Sequence, residues 1–475
     1  MPPDRRAVLS SGGLAAGATL AGPGAVMAAA PSQVTEILAR YLVTSRPADV
    51  PAGVRLEACR SLLNWTGVAV GGSRHESIAF MLAALAPFAG KPVANLLGRR
   101  EKLDILNASL VNGASSHIFD YDDTHLKTII HPAGPVASAI LALSQHRKVS
   151  GADFLHALYL GIETECRIGN AVFPSHYEMG WHITGSCGVL GSAAACGRLL
   201  GLSEQQMRWA LGNAASQPVG LKVQFGSMTK SFHAGRAAQN GLTAALLAAQ
   251  NYTADNAALE GKDGWGQAVS QQVRWSEVTD GLGTRFEAAL NTYKPFACGI
   301  VTHPAIDAAI QLRNENRLQP GDIASVELIA NPQVLKLTGK TEPGTGLEGK
   351  FSIYHCVAAG LIQGAAGERQ FQDRVVRDPA MTALRRKVTV HVDPGVDAAE
   401  CTLVIRLKDG RSLSRHIEHA IGSQQNPLSD AALEAKFIDL ADGILAKDQA
   451  RRVMNMCWGM EKAADAGALA SAAAV

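Results

Sequence analysis

The chain has 475 residues, 47% of them hydrophobic and only 5% aromatic, which is apolar material enough for two or three domains with a substantial core. Its 44 Lys and Arg stand against 42 Asp and Glu; no basic run is interleaved with aromatics, so neither a nucleic-acid footprint nor a polybasic membrane patch is expected. The eight cysteines are scattered, with no C-x-x-C pair and no Cys/His cluster at zinc spacing, so they read as buried free thiols and the expected partner is a small molecule.

In chain order, residues 1–30 carry Arg5-Arg6, a weakly apolar Gly/Ala stretch and small residues up to Ala30. This is the pattern of a twin-arginine export signal, and it predicts a periplasmic address, a cytoplasmic one being the alternative. Residues 31–289 then read as helix after helix. "TEILARYLVT", "VRLEACRSLLNWTGVAVGG", "PVASAILALSQHRKVSG" and "ADFLHALYLGIETECRIGNAV" place apolar residues three and four apart, with Gly and Pro at the breaks. "GSCGVLGSAAACGRLLGL" is so rich in small residues that it suits a buried central helix whose neighbours approach closely. No stretch after residue 30 reads as a membrane span.

Across residues 290–424 the texture changes. "ASVELIAN", "KVTVHVDP" and "CTLVIRLKDGRSLSRHIEHA" alternate as strands do, the last around a Lys-Asp-Gly turn. Residues 425–475 return to amphipathic helix behind a Ser-Asp cap signal. The fold class expected is therefore mainly α: a large discontinuous all-helical domain, completed by the C-terminal helices, with a smaller α+β lid inserted.

Four polar knots interrupt the apolar pattern. The first, "HIFDYDDTHLKTIIHPAGP" from His117 to Pro135, holds three histidines and three aspartates. If residues 112–124 are helical, His117, Asp120 and Thr124 share one face. Asp122, Asp123 and His125 then point away, as solvent-facing helix caps. Asp120-x-Asp122-x-Thr124 also matches the D-x-D-x-T pattern of phosphatases with a nucleophilic aspartate, but no buried strand is read before it. A metal held by His117, Asp120 and His131 is a further reading, without a second ligand cluster to support it.

The second knot, "GWHITGSCG", sets His182 and Thr184 before a helix, where an anion is favoured. The third, "GSMTKSFHAGRAAQNG", brings Lys230, His233 and Arg236 into a helix; the fourth, "YKPFACGIVTHPAIDAA", puts Lys294, Thr302 and His303 where the texture changes. Cations, imidazoles and a carboxylate without a cofactor motif suit binding a small polycarboxylate and moving a proton from the carbon beside a carboxylate.

In this order the knots resemble the 2-methylcitrate dehydratase (MmgE/PrpD) family, which includes cis-aconitate decarboxylases and iminodisuccinate epimerases. The strings that carry the likeness are "DYDDTH" with "HPAGP", "GWHITGSCGVLGSAAACGRLLGL", "GSMTKSFHAGRAAQNGLTAALLA", "KPFACGIVTHPAIDA", "KFSIYHCVA" and "PLSDAALEAKF".

The resemblance implies an enzyme without cofactor or metal, a homodimer, with its site between helical domain and lid. It implies catalytic roles for His131, His182, Asp120 and Lys230, with one imidazole as base or acid oriented by Asp120, and substrate contacts from Thr124, Lys294, Tyr354 and His355. The activity implied is a hydro-lyase acting on a di- or tricarboxylate such as 2-methylcitrate; an epimerase of a dicarboxylate such as iminodisuccinate is the alternative. A cis-aconitate-type decarboxylase is the weaker reading, because Gly299 follows Cys298 where that branch places a histidine; a carboxylate-binding protein without turnover is the rival from another class. Tyr354-His355 replaces the Pro-Tyr step common among relatives.

Overall fold

A computed structural model describes residues 33–475, so the twin-arginine expectation lies outside the described residues. The helices used below are α1 (Val34–Thr44), α2 (Ala52–Gly72), α3 (Ile105–His117), α4 (Ala133–Ser144), α5 (Gly151–Val172), α6 (Ile183–Leu200), α7 (Glu204–Ala215), α8 (Thr229–Ala249), α9 (His303–Asn316), α10 (Ile353–Gln363), α11 (Asp430–Ala441) and α12 (Lys447–Trp458). The fold is mainly helical, as the spacing of apolar residues predicts.

One core runs from Leu38 on α1 through α2, α4, α5 and α6 to Phe437 on α11 and Val453 on α12. The C-terminal helices thus complete the body that the N-terminal half begins. At its centre lie α4, α5, α6 and α8, and small residues let them touch backbone to backbone. A Cβ on Gly235 of α8 would stand 2.1 Å from the Leu110 carbonyl of α3, and one on Gly241 would stand 2.4 Å from Ser192 Cβ of α6. Helix α6 is apolar enough over 18 residues to pass for a membrane span, but 89% of it is buried inside this body.

The smaller unit has a second core, built by α9 and α10 against a four-stranded sheet. Its strands are β3 (Ile323–Ala330), β4 (Val388–Val392), β5 (Cys401–Leu407) and β6 (Ser412–Ile417), in the order β4-β3-β5-β6. β3 and β4 run parallel; β5 is antiparallel to both β3 and β6. A third cluster, with Val68, Tyr121, Phe296, Cys298, Cys356 and Phe371, lies between the two cores.

The helix expected over residues 112–124 ends at His117. Asp120 takes the left-handed φ of 51°, which Asp tolerates better than most residues, and Asp123–His125 (β1) pairs antiparallel with Asn291–Tyr293 (β2). The partner strand lies 168 residues away, so local spacing could not reveal it: Thr124 stands opposite Thr292.

Candidate active site

The β1–β2 ribbon joins the first knot to the fourth. Lys294 follows β2 directly, and its Nζ donates to Asp120 Oδ1 at 2.8 Å and to the Asp120 carbonyl at 3.1 Å. The third knot arrives on α8, whose first turn places Lys230 Nζ 2.6 Å from the same Asp120 Oδ1. The close contact of α8 with α3 at Gly235 makes this approach possible. His182 comes from the second knot as the residue that opens α6.

These groups surround a cavity of about 30 Å³, lined among others by Asp120, His131, His182, Lys230, Lys294 and Gly299. Ile129, Tyr177, Phe225 and Phe351 complete its apolar part. Ile129 holds a φ of 61°, which a β-branched residue adopts only under strain.

The electrostatics follow from burial and pairing. Burial alone would push the Asp120 carboxyl up, but the two ammonium groups hold it well below the usual carboxylate range. Burial lowers Lys230, with Asp120 resisting. Lys230, Asp120 and Lys294 together carry a net +1.

His131 is buried, and burial takes it down to about 3, with Asp122 pulling the other way. Its Nδ1–H donates to the Asp123 carbonyl at 2.8 Å, which fixes the tautomer and leaves Nε2 for the cavity. Thr124 Oγ1 stands 3.1 Å from the same Nδ1, so Thr124 orients His131 without lining the cavity.

Asp122 pairs with the imidazoles in the place expected of Asp120. His117 Nδ1 donates to Asp122 Oδ2 at 2.5 Å, and His131 Nδ1 lies 3.7 Å from Asp122 Oδ1. Burial would raise Asp122, but the neighbouring His117 and His131 rings hold it below its usual value. The His117 ring stacks on His182 with centroids 5.4 Å apart. Burial first, then the neighbouring His117 and Lys230, keep His182 well below the ordinary imidazole value.

The expectation that Asp122, Asp123 and His125 face solvent is overturned, since all three are fully buried. Asp123 does cap a helix, accepting from Ala133 N of α4 at 3.1 Å and from Asn291 Nδ2 at 2.6 Å. Burial and the neighbouring Asp122 push it up to about 7. His125 binds Glu287 and Thr128. A strand shifts every second side chain to the opposite face, and both faces of β1 are covered here.

Tyr354 and His355 do not line the cavity. Tyr354 packs on the core of the smaller unit, and His355 donates from Nε2 to the Gln370 carbonyl at 3.0 Å. The residue of "KFSIYHCVA" that reaches the cavity is Phe351, stacked on Phe225 at 5.7 Å. Lys230 Nζ lies 5.4 Å from the Phe225 ring centre and 5.5 Å from that of Phe351.

Asp120, Asp122 and His131 also present ligand atoms close enough for a metal ion, a set that differs from the sequence reading by Asp122 in place of His117. Two ammonium groups already bind Asp120 Oδ1, so a divalent cation there would stand against two positive charges. The cluster fits an organic anion better.

The chain is similar to known proteins along most of its length. A cis-aconitate decarboxylase of Aspergillus terreus is 26% identical over 465 residues, covering 92% of this chain and 95% of that protein. The cis-aconitate decarboxylase of Mus musculus is 27% identical over 455 residues and 92% of each chain; that of Homo sapiens is 28% identical over 384 residues, 76% of this chain and 78% of its own. The MmgE/PrpD N-terminal domain model matches residues 36–278 and the C-terminal domain model residues 296–460, the first holding Asp120, His131, His182 and Lys230. The chain belongs to the MmgE/PrpD family of lyase-type enzymes.

Proposed function

We propose that this enzyme takes a proton from the carbon beside a carboxylate of a small di- or tricarboxylate and expels a β-hydroxyl, as in dehydration of 2-methylcitrate. The carrying observation is the cavity in which His131, bound through Nδ1, turns its free Nε2 toward the same space as the net-positive Lys230–Asp120–Lys294 group.

The carbon proton is weakly acidic, and its loss puts charge on the adjacent carboxylate. Lys230 and Lys294 stand where that charge would be held. His131 Nε2 takes the proton, and the imidazole of His182 gives one to the departing hydroxyl, so a C–H and a C–O bond break while water and an alkene form. Asp120 Oδ2 lacks a hydrogen-bond partner and offers an acceptor for a substrate hydroxyl.

Burial makes His131 a weak base. Bringing in two or three carboxylates adds negative charge beside the ring, raises its proton affinity and makes the base stronger when substrate is present.

Return of the proton to the other face of the same carbon would give an epimerase, and loss of carbon dioxide a decarboxylase, the activity in the names of the relatives above. Against decarboxylation stands Gly299, which lines the cavity and brings no imidazole. A Cβ there would lie 2.9 Å from Thr338 Cγ2.

Proton NMR in deuterated water with citrate, 2-methylcitrate, cis-aconitate, malate and iminodisuccinate separates these outcomes. An alkene signal supports dehydration, exchange without net change supports epimerisation, and loss of carbon dioxide from cis-aconitate supports the second reading. No exchange with any of them, together with a rise in melting temperature, would sink catalysis in favour of simple binding.

A further inference from the structure

His233 has no part in the chemistry above, yet it is built into the site. It stands one turn beyond Lys230 on α8, is 4% exposed, and places its Nδ1 3.0 Å from Nδ1 of His182. Gly220, at a φ of 103°, closes over the two rings: a Cβ there would meet His182 Cβ and His233 Cγ, each at 3.1 Å.

Two ring nitrogens at this distance share one hydrogen. Two hydrogens would collide, and two lone pairs would repel. With the hydrogen on His182 Nδ1, the Nε2 of His182 offers a lone pair; with it on His233 Nδ1, His182 Nε2 carries a hydrogen it can give away.

We propose that His233 is the positioning residue that decides whether His182 meets the substrate as acid or as base. The inference rests on the proton-transfer reading above. When His182 gives its Nε2 hydrogen to the departing hydroxyl, the shared hydrogen passes from His233 Nδ1 to His182 Nδ1, and His233 takes one from water at its own Nε2. Both rings end neutral. The proton that His131 removed from carbon leaves to water, so the count closes.

The other titratable groups around His182 are His117 from α3, His131 from the segment before α4, and Lys230 from α8; none of them hydrogen-bonds its Nδ1. Burial takes His233 down to about 4, which keeps the pair at one shared hydrogen at neutral pH.

The test uses the full chain labelled with 15N-histidine, two-bond proton–nitrogen correlation spectra, and the variants His233→Gln and His233→Phe. The expected spectrum shows His182 and His233 as opposite tautomers. Both variants are expected to lower kcat about tenfold or more, with KM within about threefold, and to move the same limb of the kcat–pH profile. A glutamine can hold His182 by a hydrogen bond but cannot pass a proton on.

If His233→Gln keeps the wild-type kcat and pH profile, or if both rings show one tautomer, the inference is overturned. Should His233→Phe not fold, the wild-type spectrum and His233→Gln decide. The spectrum needs no substrate: opposite tautomers without turnover of any polycarboxylate would support the pair and defeat the proposed function, while turnover with identical tautomers would defeat the pair alone.

Discussion

Asp122 and Asp123 are neighbours in sequence and opposites in chemistry. Asp122 is held as a carboxylate by two imidazoles, whereas Asp123, capping α4 in a dry setting, is pushed up to about 7. Because folding raises the Asp123 value, the folded chain binds this proton more tightly than the unfolded one, and stability falls as pH rises from the ordinary carboxylate value through about 7. Asp123→Asn removes that slope. Urea unfolding at pH 5 and pH 8 is expected to show the variant gaining on wild type by a few kcal/mol at the higher pH, and equal differences at both would refute the assignment.

His131 supplies a second expectation at this scale. As the free enzyme holds it at about 3, kcat/KM corrected for substrate ionisation stays level below pH 6, while kcat falls away at a higher pH because bound carboxylates raise the ring. Coincident limbs near 6.5 would contradict it. His131→Gln is expected to lose about 100-fold or more in kcat with a small change in binding. His131, His182, Lys230 and Lys294 were legible in the sequence because each sits in a polar knot amid apolar helices. Asp122 was misplaced, since its partner His117 comes within reach only where the helix stops and the chain turns at Asp120.

Among the elements, helices were legible from the spacing of apolar residues, and β3 to β6 from alternation. The β1–β2 ribbon was not, because three-residue strands carry no period and their pairing spans about a third of the chain. The α3–α8 contact gives an expectation of its own. Gly235→Ala drives a Cβ into the Leu110 carbonyl and must part the helices, at a cost of about 1–3 kcal/mol in urea unfolding. Since α8 carries Lys230, turnover is expected to fall further than stability alone explains; unchanged kcat in the folded variant would show that this contact does not set the site.

On the scale of the whole molecule, the C-terminal helices belong to the first core. A chain ending at Asn426 loses Leu433, Phe437, Val453 and Cys457 from it and is expected to lack a cooperative thermal transition by circular dichroism; a cooperative one would contradict a single core. A cavity of about 30 Å³ is far smaller than a tricarboxylate needs, so the proposed substrate would enter only if the walls part.

Lys436 of α11 bears on where they part. Its Nζ donates to Asn64 Oδ1 at 2.8 Å, to the Tyr121 carbonyl at 2.6 Å and to the Lys294 carbonyl at 2.9 Å. It therefore rivets the Asp120 turn and the Lys294 strand to the helical body from behind. Any hinge of the smaller unit has to begin beyond Lys294, so Phe351 and Gly299 would travel while Lys230 and Lys294 stay at rest, and the charge proposed to receive the substrate would be in place before the door closes.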